Sequence, residues 1–407
     1  MTAAECGGEV AIFDLLSHAD MHHAFNEGYI RTVKAAFPES SISFHACEGQ
    51  IRYLSRRVAD LDKVTLTPCP AFKTPFGLSR HNPVAGNWAA LECLRTIVRR
   101  ITPGKTRLVA VLGIDANLFA VLGRRWPSNS SVPLHMILHS HLGDAMIWRS
   151  RNPLIRYGDF VSRLSRPLPR QVYLVVLELG IKSAIEELAP HLGPSILTLE
   201  HPVLETEWST AGEASPGQKI RIAFLGHARR AKGFPAFLDL ARRSMRPELD
   251  FTAIGLSSPD TAELDAGPLT RLPSRAPLPR AEYLRLLSEA DFICLPLHAR
   301  TYDFTASGTV SDAIAALKPL LARRNRALDE IVERYGPIGY LVDTHEELCQ
   351  RVQKLDRAAV AEQRPIWLQN LRRLRQARRP SSLAQSYGSF CIYKQPSRCR
   401  QLLRHGS

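Results

Sequence analysis

Long apolar runs are missing from this sequence. No stretch reaches the roughly 18 consecutive apolar residues that a membrane-spanning helix requires, and the longest, Val172 to Leu179, has the length of a buried strand. Paired cysteines are missing too. The eight cysteines stand at positions 6, 47, 69, 93, 294, 349, 391 and 399, with no Cys-x-x-Cys pair and no Cys/His spacing that would build a zinc site. The expectation is a set of reduced thiols in a cytoplasmic chain, because disulfides seldom persist there. The opening MTAAECGGEV carries no basic segment ahead of an apolar block, so no secretory signal is expected. Internal repeats and low-complexity tracts are absent as well.

Acidic residues are in deficit. Lys and Arg number 53 against 39 Asp and Glu, leaving a formal net charge of +14. Such a balance favours polyanionic partners: nucleic acid, anionic lipid headgroups or phosphorylated substrates. The basic residues gather between Arg149 and Arg170 and between Arg372 and Arg379. Near the first cluster only Trp148, Tyr157 and Phe160 offer rings for stacking on bases, so nucleic acid is not the expected partner. Contact of Arg149 to Arg170 with an anionic membrane surface is the alternative that the charge allows, at about 1 kcal/mol per arginine.

The 407 residues, 45% hydrophobic, suit two α/β domains of about 200 residues each better than one core. Continuous apolar strands are expected at 10–16, 41–46, 107–113, 134–140 and 171–179, with helices between them at 24–37, 51–62 and 88–100. Strands that are apolar throughout, rather than alternating, belong to parallel sheets covered on both faces. The polar stretch ETEWSTAGEASPGQK at 205–219 reads as a linker. A second strand series follows at 220–226, 250–255, 291–297, 319–322 and 338–343. The fold class expected is therefore α/β with two Rossmann-like, doubly wound parallel sheets. The domains are expected at 1–208 and 209–357, with 358–407 forming a helix that crosses back to the first domain and a basic tail.

Two loops carry the candidate chemistry. In FLGHARRAKGFPAFLDLARR a strand ends at Leu225 and Gly226, a basic turn follows, and a helix starts near Phe234, with Pro235 in its first turn. His227, Arg229, Arg230 and Lys232 would surround the strand mouth with donors for a diphosphate, and Gly226 would let it approach the backbone. In ADFICLPLHARTYDFTASGTVSDAIAALKPLLA a strand ends at Leu297 and a helix is expected from about Thr309, with Ser307 or Thr305 as N-cap. The amides of Gly308, Thr309 and Val310 at that helix start, aided by the helix dipole, suit an anion.

With those residues in view, the second half resembles the nucleotide-binding domain of the GT-B glycosyltransferases, in particular the retaining, group 1 (family 4-like) sugar transferases that act on lipid-linked or polysaccharide acceptors. FLGHARRAKGF is similar to that group's Gly-Arg and Lys-Gly pattern, with Lys232 and Gly233 on the Lys-Gly and His227 on the arginine position. The resemblance implies that Lys232 and His227 bind the donor diphosphate. LRLLSEADFICLP resembles the helix and strand ahead of the donor loop, and PLLARRNRALDEIVERYGPIGYLVD the segment after it. Asp312 takes the group's second acidic position. Eight residues before it stands Phe304, with Asp303 one further back, a departure from the usual pair of glutamates. In the first half, SHADMHHAFNEGYIRTVKAAFP resembles the opening loop and helix, placing His22, His23 and Asn26 near that loop.

The expected function is transfer of a hexose from a nucleotide diphosphate sugar to an acceptor hydroxyl, without a metal ion or other cofactor. A lipid-linked saccharide or a polysaccharide precursor is the expected acceptor. Donor-binding candidates are Gly226, His227, Arg229, Lys232, Asp303, Ser307, Gly308, Thr309 and Asp312. Catalytic candidates are Asp20, as a base for the acceptor hydroxyl, and His139 or His141, two apart in MILHSHLGD. Asp144 reads as a solvated loop residue. Asp60-Leu61-Asp62 has the form of a metal-binding triplet but falls at the end of an amphipathic helix in the first domain, and is not assigned to metal. A nucleotide-sugar epimerase of the same fold and a basic polyanion-binding module are the alternatives.

Overall fold

A computed structural model describes residues 7–17, 22–70, 72, 83–127, 130–139, 160–204, 219–297 and 302–393. Asp20, His141, Asp144, the arginines at 149, 151 and 156, and linker positions 205–218 lie outside the described residues.

The chain divides into two compact units. The first comprises 1–202, 304–306 and 380–407, and the second 203–303 and 307–379. Each is built on one parallel sheet. In the first unit the strands are β1 (Glu9–Asp14), β2 (Ser41–Ala46), β3 (Val64–Pro68), β4 (Thr106–Val111), β5 (Leu134–Leu138), β6 (Val172–Val176) and β7 (Ile196–Thr198). They lie in the order β3-β2-β1-β4-β5-β6-β7. In the second, β8 (Ile220–Leu225), β9 (Leu249–Ile254), β10 (Phe292–Leu295), β11 (Leu320–Arg323) and β12 (Gly339–Val342) take the order β12-β11-β10-β8-β9.

Burial explains why the strands read as unbroken apolar runs. In the second unit Ala223, Leu225, Ile293, Leu295, Leu320 and Ala322 pack into the core on one face of the sheet, while Ile222, Phe224, Phe292, Cys294 and Leu321 pack into the core on the other. Neighbouring side chains along a strand point to opposite faces, so a sheet covered twice needs an apolar residue at every position. The same holds in the first unit, where β5 and β6 are buried at all five positions.

Each order contains one point at which the winding reverses, between β1 and β4 in the first unit and between β8 and β10 in the second. At such a point the connections leave the sheet toward opposite faces, and the loops at the carboxyl ends part to leave a crevice. The loops after β8 and β10, singled out from the sequence, flank that reversal.

The helix Arg357–Ala377 belongs to the second unit, and the helix Pro380–Tyr393 to the first. The latter packs on the helix His23–Ala36, with Gly388 lying against Ala36. Three buried side chains tie it down: the Tyr387 hydroxyl is 2.7 Å from that of Tyr29 and 2.8 Å from His135 Nδ1 on β5. No described helix is long and apolar enough to cross a membrane.

Candidate functional site

After β8 the chain turns at Gly226 in a left-handed conformation (φ 86°), passes His227, Ala228 and Arg229, and forms the 3-10 helix Arg230–Lys232. Gly233 follows, also left-handed (φ 78°), and starts the helix Phe234–Arg243. A Cβ at Gly233 would lie 2.4 Å from the carbonyl oxygen of Pro296, so only glycine permits this turn to pack on the end of β10. That approach draws the basic turn onto the neighbouring loop.

The two loops meet over Gly226. A Cβ built there would lie 3.2 Å from Lys232 Nζ and 3.8 Å from Thr309 Oγ1. An ammonium from the first loop and a hydroxyl from the second therefore flank the same bare stretch of backbone. Burial lowers the Lys232 pKa, the nearby Arg229 guanidinium lowers it further, and Asp312 opposes both. A cation held half-buried beside another cation is poised to gain from an anion.

The second loop ends at Ser307, the N-cap of the helix Gly308–Ala315, whose hydroxyl makes no capping hydrogen bond. The space beside Gly308 is open: an added Cβ would meet nothing within 4 Å. The helix start thus presents its amides and positive dipole end without a side-chain cap. One turn on, Asp312 accepts a hydrogen bond of 2.7 Å from the hydroxyl of Tyr283, a half-buried phenol whose pKa is raised by desolvation and then by that carboxylate.

Other donor candidates are placed differently. Arg230 faces away from the pair of loops in its bonding: its Nε donates to the Asp260 carbonyl at 2.8 Å and its guanidinium pairs with Glu263. Its charge is thereby satisfied by the segment that follows β9, against the expectation that all four basic residues ring the strand mouth. Arg229 is exposed and His227 half-buried. Asp303 Oδ1 lies 3.4 Å from the amide of Arg326 at the start of the helix Arg326–Tyr335, so its carboxylate faces that helix end. Phe304, standing at the eight-residue spacing from Asp312, packs on the core of the first unit.

In the first unit, Asp14 ends β1 at the winding reversal and is buried. It accepts hydrogen bonds from Asn26 Nδ2 at 2.8 Å and from the Ser17 amide at 3.3 Å, and Asn26 also donates to Gln50 at 3.2 Å. His139, directly after β5, stacks on Phe25 at 4.0 Å, meets the edge of His22 at 4.3 Å, and lies 5.6 Å from His201. His22 adopts a left-handed conformation (φ 61°) to cap the helix His23–Ala36, a strained posture for a non-glycine. His23 turns instead to stack on Tyr53 at 3.9 Å. Asp14, Gln50 and His201 escaped the sequence reading; the only local signal was a polar residue closing the apolar run 10–13 of β1. Asp60 and Asp62 sit in a turn, each paired with a basic residue of the helix His23–Ala36: Asp60 with Arg31 at 2.8 Å and Asp62 with Lys34 at 3.1 Å.

No family model and no curated protein matches this sequence. Solved structures do match in three dimensions. The HepE protein of Anabaena, in complex with UDP and glucose, superimposes with a TM-score of 0.63 at 12% identity, over 95% of this chain and all 100% of that one. The fold is GT-B. WaaG, a glycosyltransferase involved in lipopolysaccharide biosynthesis, gives 0.59 at 12% identity over 94% of this chain and 99% of its own. The N-terminal domain of trehalose-6-phosphate phosphatase from Candida albicans gives 0.59 at 9% identity, over 95% and 97%. The GT-B likeness spans both units, whereas the sequence resemblance rested mainly on the second.

Proposed function

We propose that this chain is a glycosyltransferase that moves a hexose from a nucleotide diphosphate sugar to an acceptor hydroxyl. The observation that carries the reading is the convergence of Lys232 and Thr309 on Gly226 at the winding reversal of the second sheet. It is supported by the GT-B neighbours, of which HepE is described with UDP and glucose and WaaG as a glycosyltransferase.

In this reading the diphosphate lies over Gly226. Lys232 and the amides of Gly308, Thr309 and Val310 hold its oxygens, with Ser307 beside them and Arg229 and His227 at the rim. As the sugar–oxygen bond breaks, negative charge grows on the departing diphosphate. Fixed donors aimed there stabilise it without having to reorganise, and this is how such a site lowers its barrier. Two basic side chains and a helix end offset the charge, so the mechanism requires no metal ion. Asp312, held by Tyr283, keeps Lys232 oriented by attraction rather than serving as a sugar ligand. Acceptor activation falls to the first unit, to Asp20 or to the histidine cluster around His139. A lipid-linked saccharide or polysaccharide precursor is the proposed acceptor, with Arg149 to Arg170 contacting an anionic membrane surface.

Titration calorimetry of the chain with UDP, GDP, ADP and dTDP in the presence of a chelator tests this. One nucleoside diphosphate is expected to bind, and Lys232→Ala to weaken it by about 10- to 100-fold, the loss of one charge-assisted interaction. No binding by any diphosphate, or equal binding by the variant, overturns the reading. Product analysis with and without acceptor separates it from an epimerase, which turns over its donor alone.

A further inference from the structure

Away from the donor loops, the helix Phe234–Arg243 packs beside the helix His345–Gln353 in the second unit. Asp239 projects from the first helix. His345 and Cys349 stand one turn apart on the second, on one face. His345 Nε2 lies 2.8 Å from Asp239 Oδ2 and 3.6 Å from Cys349 Sγ, and all three donor atoms lie within 4.8 Å of one another.

The arrangement is not a proton relay. A relay uses the two ring nitrogens separately, one toward the nucleophile and one toward the carboxylate. Here both partners converge on Nε2, while Nδ1 is buried with no hydrogen-bond partner. Three donors of different type facing one point is the geometry of a metal site. We propose that Asp239, His345 and Cys349 bind a zinc ion that clasps the two helices together, with a fourth position open to water. A carboxylate oxygen, an imidazole nitrogen and a thiolate sulfur form a ligand set that zinc accepts, at bond lengths of about 2.0 to 2.3 Å.

The charges close around such an ion. Arg243 approaches Asp239 at 3.7 Å, but its guanidinium is held by both oxygens of Glu346 at 2.8 and 2.7 Å, so its charge is compensated. The Asp239 carboxylate and a Cys349 thiolate then balance the two charges of zinc. The Cys349 side chain is buried, facing His345 Nε2 across 3.6 Å. On binding, the Asp239–His345 hydrogen bond opens, the Nε2 proton re-forms on Nδ1, and the thiol proton leaves to solvent: one proton released per zinc. The sequence expectation of no zinc site rested on cysteine spacings. His345-x-x-x-Cys349 gives no such spacing, because Asp239 lies 106 residues from His345.

The test uses the full chain stripped with a chelator, loaded with excess zinc chloride and desalted. One zinc per chain is expected by elemental analysis, with a rise in melting temperature relative to the stripped protein. Cobalt(II) in place of zinc is expected to show a thiolate-to-cobalt charge-transfer band and the visible bands of a tetrahedral ion. Cys349→Ser should abolish the charge-transfer band. Because Cys349 is fully buried, Asp239→Asn at a half-exposed position supplies the second variant, with at least a tenfold loss of zinc affinity expected. Substoichiometric zinc in the wild type, a cobalt spectrum without the thiolate band, or retention by Asp239→Asn equal to the wild type overturns the assignment.

Discussion

Replacing Tyr387 by Phe removes one oxygen atom from the interior of the first unit and keeps the ring. The hydroxyl sits between Tyr29 Oη at 2.7 Å and His135 Nδ1 at 2.8 Å, and all three side chains are 0 to 1% exposed. Burial holds His135 neutral, its pKa pushed down to about 3, so one ring nitrogen accepts while the phenols stay protonated. Each hydrogen bond contributes about 1 kcal/mol net, and each polar atom left buried without a partner costs about 1 to 3 kcal/mol. Two atoms, Tyr29 Oη and His135 Nδ1, are left without this partner. The loss is about 3 kcal/mol, several times what a surface substitution produces. Urea denaturation followed by far-ultraviolet circular dichroism reads this as a midpoint lowered by about 1 M in the transition of the first unit. Tyr29→Phe combined with Tyr387→Phe should cost less than the two singles together, because the pair removes the orphaned phenol along with its partner. A Tyr387→Phe cost under about 0.5 kcal/mol would refute the buried triad as the clamp on the helix Pro380–Tyr393.

Nucleoside diphosphate affinity should depend on pH through Lys232, whose pKa lies below the ordinary 10.5 because of burial and Arg229. The anion prefers the charged amine, so affinity is expected to fall as pH rises through that lowered value, by up to about tenfold per pH unit; binding that holds constant up to pH 10.5 would remove Lys232 from the site. Gly233→Ala places a Cβ against the Pro296 carbonyl at positive φ and should cost at least about 2 kcal/mol while abolishing diphosphate binding. Gly308→Ala meets open space instead, so its stability is expected to stay within about 1 kcal/mol of the wild type while binding weakens, as calorimetry and thermal melting together would read. His45 has its pKa lowered to about 4, first by burial and then by Arg100, with Glu9 opposing. The unfolded chain takes up that proton first, so the contribution is whole above pH 6.5 and is lost toward pH 4 at up to about 1.4 kcal/mol per unit. His45→Gln should flatten that acid limb in urea midpoints measured at pH 7 and pH 4.5.

Much of the architecture was written locally. β2 spans 41–46 as the apolar run implied, and the helices Phe234–Arg243 and Gly308–Ala315 begin within a residue of their expected starts. β3 was not anticipated because VTLTP alternates between half-buried and exposed positions at the sheet edge, and β7 is only three residues long. The same limit applied to the sites. The basic turn of Lys232 and the helix start at Ser307 to Thr309 were legible as local structure, whereas Asp14 and the partnership of Tyr283 with Asp312 carried no comparable pattern.

The sequence by itself determined that two parallel, doubly covered sheets would form, since a side chain that must be buried on either face leaves its mark at every position of a strand. It also determined which loops were rich in donors. Only the tertiary structure decided that those loops meet. β10 pairs with β8 and β9 is set outside it, a choice made by packing across the whole sheet. That choice, together with the glycine that lets Lys232 fold back beside Gly226, brings two separate basic and helical signals together over one stretch of backbone.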